Sequence, residues 1–258
     1  MLRFFRLARW IVQVQMGINA LKIIGVIREL PHFIRDVFLF RKAYQGGVEL
    51  LPCLTDRHEE GGTARGEYFW QDLYVARKIF RADPQRHIDI GSRVDGFVAH
   101  VASYRQIEVF DIRPIAAKVP GVIFRQADLT RLDSEFVECC DSLSCLHALE
   151  HFGLGRYGDP LDPNGHVSGL SNMANLLSTG GVFYLSVPIG RARVQFNAHR
   201  VFDPFALIKI AEQNKLSLES FAFIDHSDVL NESIAPEYNF KSLSECNYAL
   251  GIFVFRKG

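Results

Sequence analysis

The sequence predicts an α/β protein, a mainly parallel sheet preceded by a helical N-terminal extension. Three observations predict it. From His87 onward short apolar runs alternate with helical segments, the rhythm of strand–helix–strand units. Acids close successive runs, and Asp111 stands 22 positions after Asp89, the length one strand–helix–strand passage needs. Two apolar runs then lie close together after the last helix, which suggests an antiparallel pair finishing the sheet.

The extension comes first. Met1 to about Lys42 is helical in pattern, with a stop expected at Leu30-Pro31 because proline restricts the residue before it. Met1 to Arg28 carries Arg3, Arg6, Arg9, Lys22 and Arg28 and no acid. Such a segment suits a basic amphipathic helix on an anionic membrane surface, and it suits equally an extension packed on the main domain or on a second copy in a homo-oligomer. Gln13, Gln15, Asn19 and Lys22 interrupt the apolar stretch and argue against a spanning helix. The small-residue cleavage pattern of a secretory signal is missing. A glycine-rich linker, "QGGVELLPCLTDRHEEGGTARGEYFW", leads to a helix over Phe69–Phe80 and a turn at Asp83-Pro84. Residues 1–80 therefore read as extension and linker, and residues 81–258 as the α/β domain.

Seven strands follow in that domain. They are "HIDIG", "QIEVFDI", "GVIFRQA", "CCDSLSCL", "VFYLSVP", "LSLESFAFI" and "YALGIFVFRK". Helical stretches are expected up to Tyr104, after the long loop as far as Gly180-Gly181, and from Pro204 to Asn214. At 258 residues and 48% hydrophobic the chain can bury a large core. Lys+Arg and Asp+Glu are equal at 29 each, so nothing in the net charge calls for nucleic acid. Five cysteines without a C-x-x-C pair read as reduced residues of a cytoplasmic protein.

In parallel sheets the ligand crevice lies beyond the C-terminal strand ends. Asp89 and Gly91 close the first strand, Asp111 closes the second, and Asp128 follows the third. A carboxylate at Asp111 can accept both hydroxyls of a ribose, and Asp128 would stand near an adenine amino group. The plainer reading of each acid is a cap on the next helix. The loop "GSRVDG", Gly91 to Gly96, carries Arg93 where a pyrophosphate-binding loop needs its middle glycine, which argues against NAD or FAD. There is no G-x-x-x-x-G-K-[ST] loop for a nucleoside triphosphate. An adenosine cofactor without phosphates remains, namely S-adenosylmethionine.

The block order resembles class I S-adenosylmethionine-dependent methyltransferases, a Rossmann-like fold with a seven-stranded sheet whose C-terminal strand is antiparallel. Asp89, Gly91 and Gly96 match D-x-G-x-x-x-x-G, Asp111 matches the acid ending strand two, and Asp128 the acid after strand three. "CDSLSCLHALEH" resembles the fourth-strand block of small-molecule members, and "LLSTGGVFYLSVP" the fifth. More narrowly, "SLSCLHALEHFGLGRYGDP" with "DPNGH" resembles the domain of unknown function 268 family. The resemblance implies S-adenosylmethionine as cofactor, held by Asp89, Gly91, Ser92, Arg93, Gly96, Asp111, Ile112, Arg113, Asp128, Leu129, Cys145 and Leu146.

H-A-L-E-H, His147 to His151, also matches the H-x-x-E-H signature of inverted zinc peptidases. That chemistry needs both histidines on one helix face. Here "CDSLSCL" runs straight into the motif, so His147 is expected at a strand end, and no metal is assigned. As methyl-transfer residues, His147 and His151 are candidate bases and Glu150 their orienting partner, the plainer reading of Glu150 being a structural cap. The turn-rich loop "GLGRYGDPLDPNGH" reads as a lid or substrate reader, offering Tyr157, Asp159, Asn164 and His166. After strand five, Asn197, His199 and Arg200 come to the same rim. This mix suits a small-molecule or sugar acceptor, hydroxyl-rich or anionic, methylated at a hydroxyl, as in glycan biosynthesis. The rival reading is a non-catalytic binding or scaffold protein of the same fold.

Overall fold

The computed structural model describes residues 20–58, 62, 64–131, 136–233 and 236–258. Residues 1–19, on which most of the membrane-or-packing expectation rests, lie outside the described residues. The chain divides into two units, Met1–Thr63 and Ala64–Gly258.

In the first unit, helix α1 (Ala20–Ala43) continues through Pro31, so the expected stop does not occur. Proline has no N–H to give to the carbonyl four residues back, yet helix-forming residues on both sides carry the helix across. The turn Asp56–His58 folds back onto it through Arg57, which pairs with Asp36 and lies 3.3 Å from Glu29. Ile27, Ile34 and Phe38 of α1 are exposed. Among the described residues no helix is long and apolar enough to cross a membrane.

The second unit begins earlier than the sequence suggests. Helix α2 (Glu67–Ala82) belongs to it, because Val75, Ala76 and Ile79 are buried against the sheet's own core. The domain boundary therefore lies near residue 64, not residue 81. The helix ends at Asp83, whose left-handed φ of 41° turns the chain as expected. Then come β1 (His87–Ile90), a kinked turn and the short helix α3 (Ala99–Ala102), β2 (Ile107–Asp111), β3 (Val122–Gln126), β4 (Cys140–Leu146), α4 (Gly165–Leu176) and β5 (Leu177–Ile189). A hairpin β6 (Arg193–Gln195) and β7 (His199–Val201) precedes α5 (Pro204–Gln213), β8 (Leu216–Ile224), β9 (Leu230–Ser233), α6 (Pro236–Glu245) and β10 (Ala249–Lys257).

The sheet order is β3-β2-β1-β4-β5-β10-β8-β9. β1 to β5 pair in parallel, and β10 is antiparallel to both β5 and β8. All seven expected strands are present, and β9 adds a short eighth at the edge. Period-two alternation puts the two faces of β5 in different cores. Phe183, Leu185 and Val187 pack with Leu170 and Met173 of α4 and Leu207 of α5, while Tyr184 faces the side of α2. The chain leaves β1 toward β2 and β3, then returns to β4 on the other side. This reversal leaves a crevice above the β1–β4 pair, where a ligand site is expected in such sheets.

Candidate functional site

Two hollows occupy that crevice, both built from residues of the second unit. The first, of about 550 Å³, is bounded by Ile90 and Gly91 of β1, by Asp111, Ile112 and Arg113 after β2, and by Asp128, Leu129 and Thr130 after β3. The second, of about 920 Å³, is polar and is lined by Glu67, Tyr68, Arg93, Leu146, Glu150, Arg156, His199 and Tyr248. Gly91, Arg113, His147, His151 and Tyr157 border both.

The chain turns out of β1 at Gly91, whose φ of 70° favours glycine and where a Cβ would stand 3.0 Å from that of Ala148. Asp89, expected at the cofactor, is instead fully buried beneath this turn. It accepts hydrogen bonds from Ser92 N at 3.0 Å, Ser92 Oγ at 2.6 Å and Ser144 Oγ at 2.5 Å. Because Ser144 gives its proton to Asp89, it accepts from His87 Nε2 (3.1 Å), and His87 Nδ1 in turn accepts from Ser142 Oγ (2.8 Å). Burial holds His87 neutral, down to about 3. Ser92 is enclosed in the same network and Cys145 is fully buried, so neither reaches a hollow. Gly96 also stays outside, against the Asp72 carboxylate, which a Cβ would meet at 2.5 Å. Of the expected first-block residues only Gly91 and Arg93 border the site.

Burial pushes Asp89 up to about 7 despite its three donors. The sign follows from linkage: its folded value lies above the ordinary 3.8, so its stabilising effect is complete below that value and is lost as pH rises through about 7. Denaturant melts of wild type and Asp89→Asn are therefore expected to show a gap that shifts against wild type as pH rises from about 4 through about 7. A gap constant over that range would contradict the buried network.

The other two strand-end acids do face the first hollow. Asp111 Oδ1 accepts from Arg113 N (2.8 Å) and Nε (3.0 Å), and Oδ2 accepts from Nη2 (2.6 Å). Asp128 Oδ1 accepts from Thr130 N (2.9 Å) and Thr130 Oγ1 (2.7 Å). These contacts close local turns and do not cap a helix, since among the described residues no α-helix follows β2 or β3 before β4, and each acid also borders the hollow.

His147 sits at the end of β4, as the sequence suggests, with a φ of 53° that breaks strand geometry and swings its ring over the site. Its Nδ1 lies 3.0 Å from Glu150 Oε1, its Nε2 3.5 Å from Glu67 Oε1, and its ring 4.5 Å from that of Tyr68. Burial works against its charge, but Glu150 and Glu67 outweigh it and hold His147 above the usual histidine value. Burial likewise opposes the Glu150 charge, and the bond from His147 outweighs it, so Glu150 stays ionised. His151 differs. Its Nδ1 donates to Ala198 O at 2.7 Å, which leaves Nε2 as the unprotonated nitrogen, 3.7 Å from Glu150 Oε1 and too far for a hydrogen bond. Burial holds His151 below the usual histidine value, only partly opposed by Glu150.

Leu149–His151 is a single turn of 3-10 helix, so the two histidines do not share a helix face as the zinc signature requires. Among the described residues no three His, Cys, Asp or Glu side chains are grouped to hold a metal. Glu150 Oε2, His147 Nε2 and His199 Nε2 are buried with no hydrogen-bond partner among the described residues. Buried polar atoms rarely go unmatched, and all three belong to residues lining the second hollow.

The loop after the motif is a folded cover. Asp159 accepts from the backbone N of Gly153, Gly155 and Tyr157, so its carboxylate organises the loop although it edges the first hollow. Arg200, expected to bind substrate, is buried behind it and donates to the carbonyls of Phe152 (2.5 Å), Pro163 (3.3 Å), Glu150 (3.4 Å) and Asp162 (3.5 Å). Arg200→Met would strand these carbonyls, and a loss of about 3 kcal/mol in denaturant unfolding is expected. A loss below about 1 kcal/mol would refute that role. Asn164 is exposed at the start of α4, His166 packs on Phe202 at 5.6 Å, and Asn197 is exposed in the β6–β7 turn with φ 63°. None of the three borders either hollow, whereas Tyr157 and His199 do.

Sequence reasoning missed Glu67, Tyr68, Arg156 as a site residue, and Tyr248. Tyr248 Oη donates to Glu67, with its two oxygens at 2.9 and 2.8 Å. Helix α2 precedes the first strand and Tyr248 precedes the last, so no motif marks them. Only the sheet order brings both to the β4 end.

Residues 122–229 match the family described as "Caenorhabditis protein of unknown function, DUF268". The matched segment is less than half of the chain. It supplies Asp128, the H-A-L-E-H motif, the folded loop and the β6–β7 hairpin, while Asp111, Glu67 and Tyr248 lie outside it. No curated protein matches the chain in sequence. Among solved structures, a candidate sarcosine dimethylglycine methyltransferase of Galdieria sulphuraria superposes with a TM-score of 0.51 at 12% identity, over 72% of this chain and 85% of its own. The Burkholderia thailandensis 1,6-didemethyltoxoflavin-N1-methyltransferase, with bound S-adenosylhomocysteine, gives 0.49 at 15% over 89% of both chains. The N-methyltransferase NodS of Bradyrhizobium japonicum, also with S-adenosylhomocysteine, gives 0.49 at 13% over 74% of this chain and 88% of its own. The matched segment thus lies within a fold like that of class I methyltransferases.

Proposed function

We propose that the chain transfers a methyl group from S-adenosylmethionine to a hydroxyl of a small molecule or glycan precursor. One observation carries this reading: two hollows share a wall, the first edged by the acids of β2 and β3, the second by a histidine with a free nitrogen. The residues fit the cofactor. Asp111 would take ribose hydroxyls, Asp128 Oδ2 an adenine amino group, and Ile112 and Leu129 the faces of the purine. S-adenosylmethionine, when bound, supplies an electrophilic methyl on a sulfonium that needs no activation by the protein.

The chain's part is placement, exclusion of water and removal of one proton. His151 is suited to the last task, because Ala198 O fixes its tautomer and leaves Nε2 to accept a hydroxyl proton. Glu150, ionised and 3.7 Å away, would stabilise the resulting imidazolium. His147 lies between Glu150 and Glu67, which favour its charged form, and its Nδ1 contact at 3.0 Å positions Glu150. The folded loop and Tyr157 would cover the cofactor. The test is a screen of free sugars, sugar phosphates and other hydroxyl compounds with methyl-labelled donor. Label on oxygen is the expected result. Label on nitrogen, or none from any acceptor while S-adenosylhomocysteine binds, would overturn the reading.

A further inference from the structure

Arg113 occupies the carboxylate that the proposed ribose needs. Asp111 receives three hydrogen bonds from this one residue, two of them from the guanidinium. A carboxylate has about four lone-pair sites, and a ribose diol donating twice would bring the demand to about five. The backbone N–H of Arg113 is fixed by the turn, so the side chain must yield. It need not travel far. The guanidinium already lies 4.4 Å from the centre of the Tyr157 ring and borders the second hollow as well as the first. Arg156 lies over the same ring at 5.1 Å; its Nη1 donates to the Ala198 carbonyl at 3.0 Å and lies 3.3 Å from His151 Nδ1, which gives its own proton to that carbonyl. Of the hollow's carboxylates, Glu67 accepts from Tyr248 and Glu150 Oε1 pairs with His147, so only Glu150 Oε2 is without a hydrogen-bond partner among the described residues.

We propose that Arg113, released from Asp111 by a ribose, joins Arg156 over Tyr157 to form an oxyanion subsite in the second hollow, so that the acceptor carries a phosphate or carboxylate group. This rests on the S-adenosylmethionine reading of the first hollow. Planar guanidinium groups stacked on a phenol keep their edge N–H donors free, the geometry that suits bidentate capture of an oxyanion. Nucleoside and acceptor then bind cooperatively, each favouring the state in which Arg113 has moved.

The experiment is calorimetric titration of the full chain with inorganic phosphate and separately with acetate, each alone and with saturating S-adenosylhomocysteine. Adenosine replaces the latter in a further arm, since it carries the ribose without a carboxylate. Phosphate or acetate should bind about fivefold or more tightly with either nucleoside present. The anion with the larger gain names the acceptor's group. Arg156→Ala should abolish the gain, and Arg113→Ala should abolish it while binding S-adenosylhomocysteine more tightly than wild type. Anion binding that ignores the nucleoside, a gain with S-adenosylhomocysteine alone, or a gain surviving in Arg156→Ala would overturn the inference. If wild type binds neither nucleoside, it is the reading of the first hollow that fails.

Discussion

His151→Ala is expected to slow methyl transfer by about 10²- to 10⁴-fold while leaving S-adenosylhomocysteine affinity within about twofold. The size follows from the loss of a positioned base, and the split from its place. Ala198 O anchors one ring nitrogen, and the other faces the hollow beside Glu150. The pH profile gives an independent check. Burial keeps His151 below the ordinary 6.5, so the neutral, proton-accepting form is already present at neutral pH. Activity should rise from acid and level off below the pH at which a free histidine would titrate. His147→Ala should move that limb slightly toward higher pH, because His147 is one of the groups that hold His151 below its ordinary value. Unchanged turnover in His151→Ala would remove it as the base.

Asp111→Ala should weaken S-adenosylhomocysteine about 10- to 100-fold, read by calorimetry. Hydrogen bonds to a charged acceptor contribute about 1.5–3 kcal/mol each, and two would be lost. The net effect is smaller than their sum, because wild type must first part Asp111 from Arg113. Asp111 closes β2 and its side-chain hydrogen bonds go to Arg113 two positions on, so the change is local, and far-UV circular dichroism should match wild type. Unaltered affinity would place the ribose somewhere other than the end of β2.

The sheet was legible because its central strands are buried on both faces and read as continuous apolar runs, as in β10, where Ala249 to Phe255 are all buried. Short polar elements were not. β6 and β7 are three residues each, and their pairing depends on the turn at Asn197 rather than on apolar content. Ser178 to Gly181 looked like a helix end, yet β5 already includes them. Gly180, with φ 81°, and a register shift between Cys140 and Ser142 let the strand start early at Leu177. In the site, acids at strand ends were readable, but not which way each one faces. Ser144, on the neighbouring strand, and Ser92, in the turn after β1, draw Asp89 inward, contacts 55 and three positions away in sequence. Arg200 looked like a rim cation for the same reason, since the carbonyls it gathers lie 37 to 50 residues earlier.

The most direct measurement is a set of intermolecular NOEs between S-adenosylhomocysteine and protein labelled at its isoleucine and leucine methyls. The adenine protons should contact Ile112 and Leu129, and the ribose protons should lie near Ile90, between the acids of β2 and β3. Contacts to methyls elsewhere on the sheet, or none at millimolar ligand, would contradict an adenosine site at the ends of these strands.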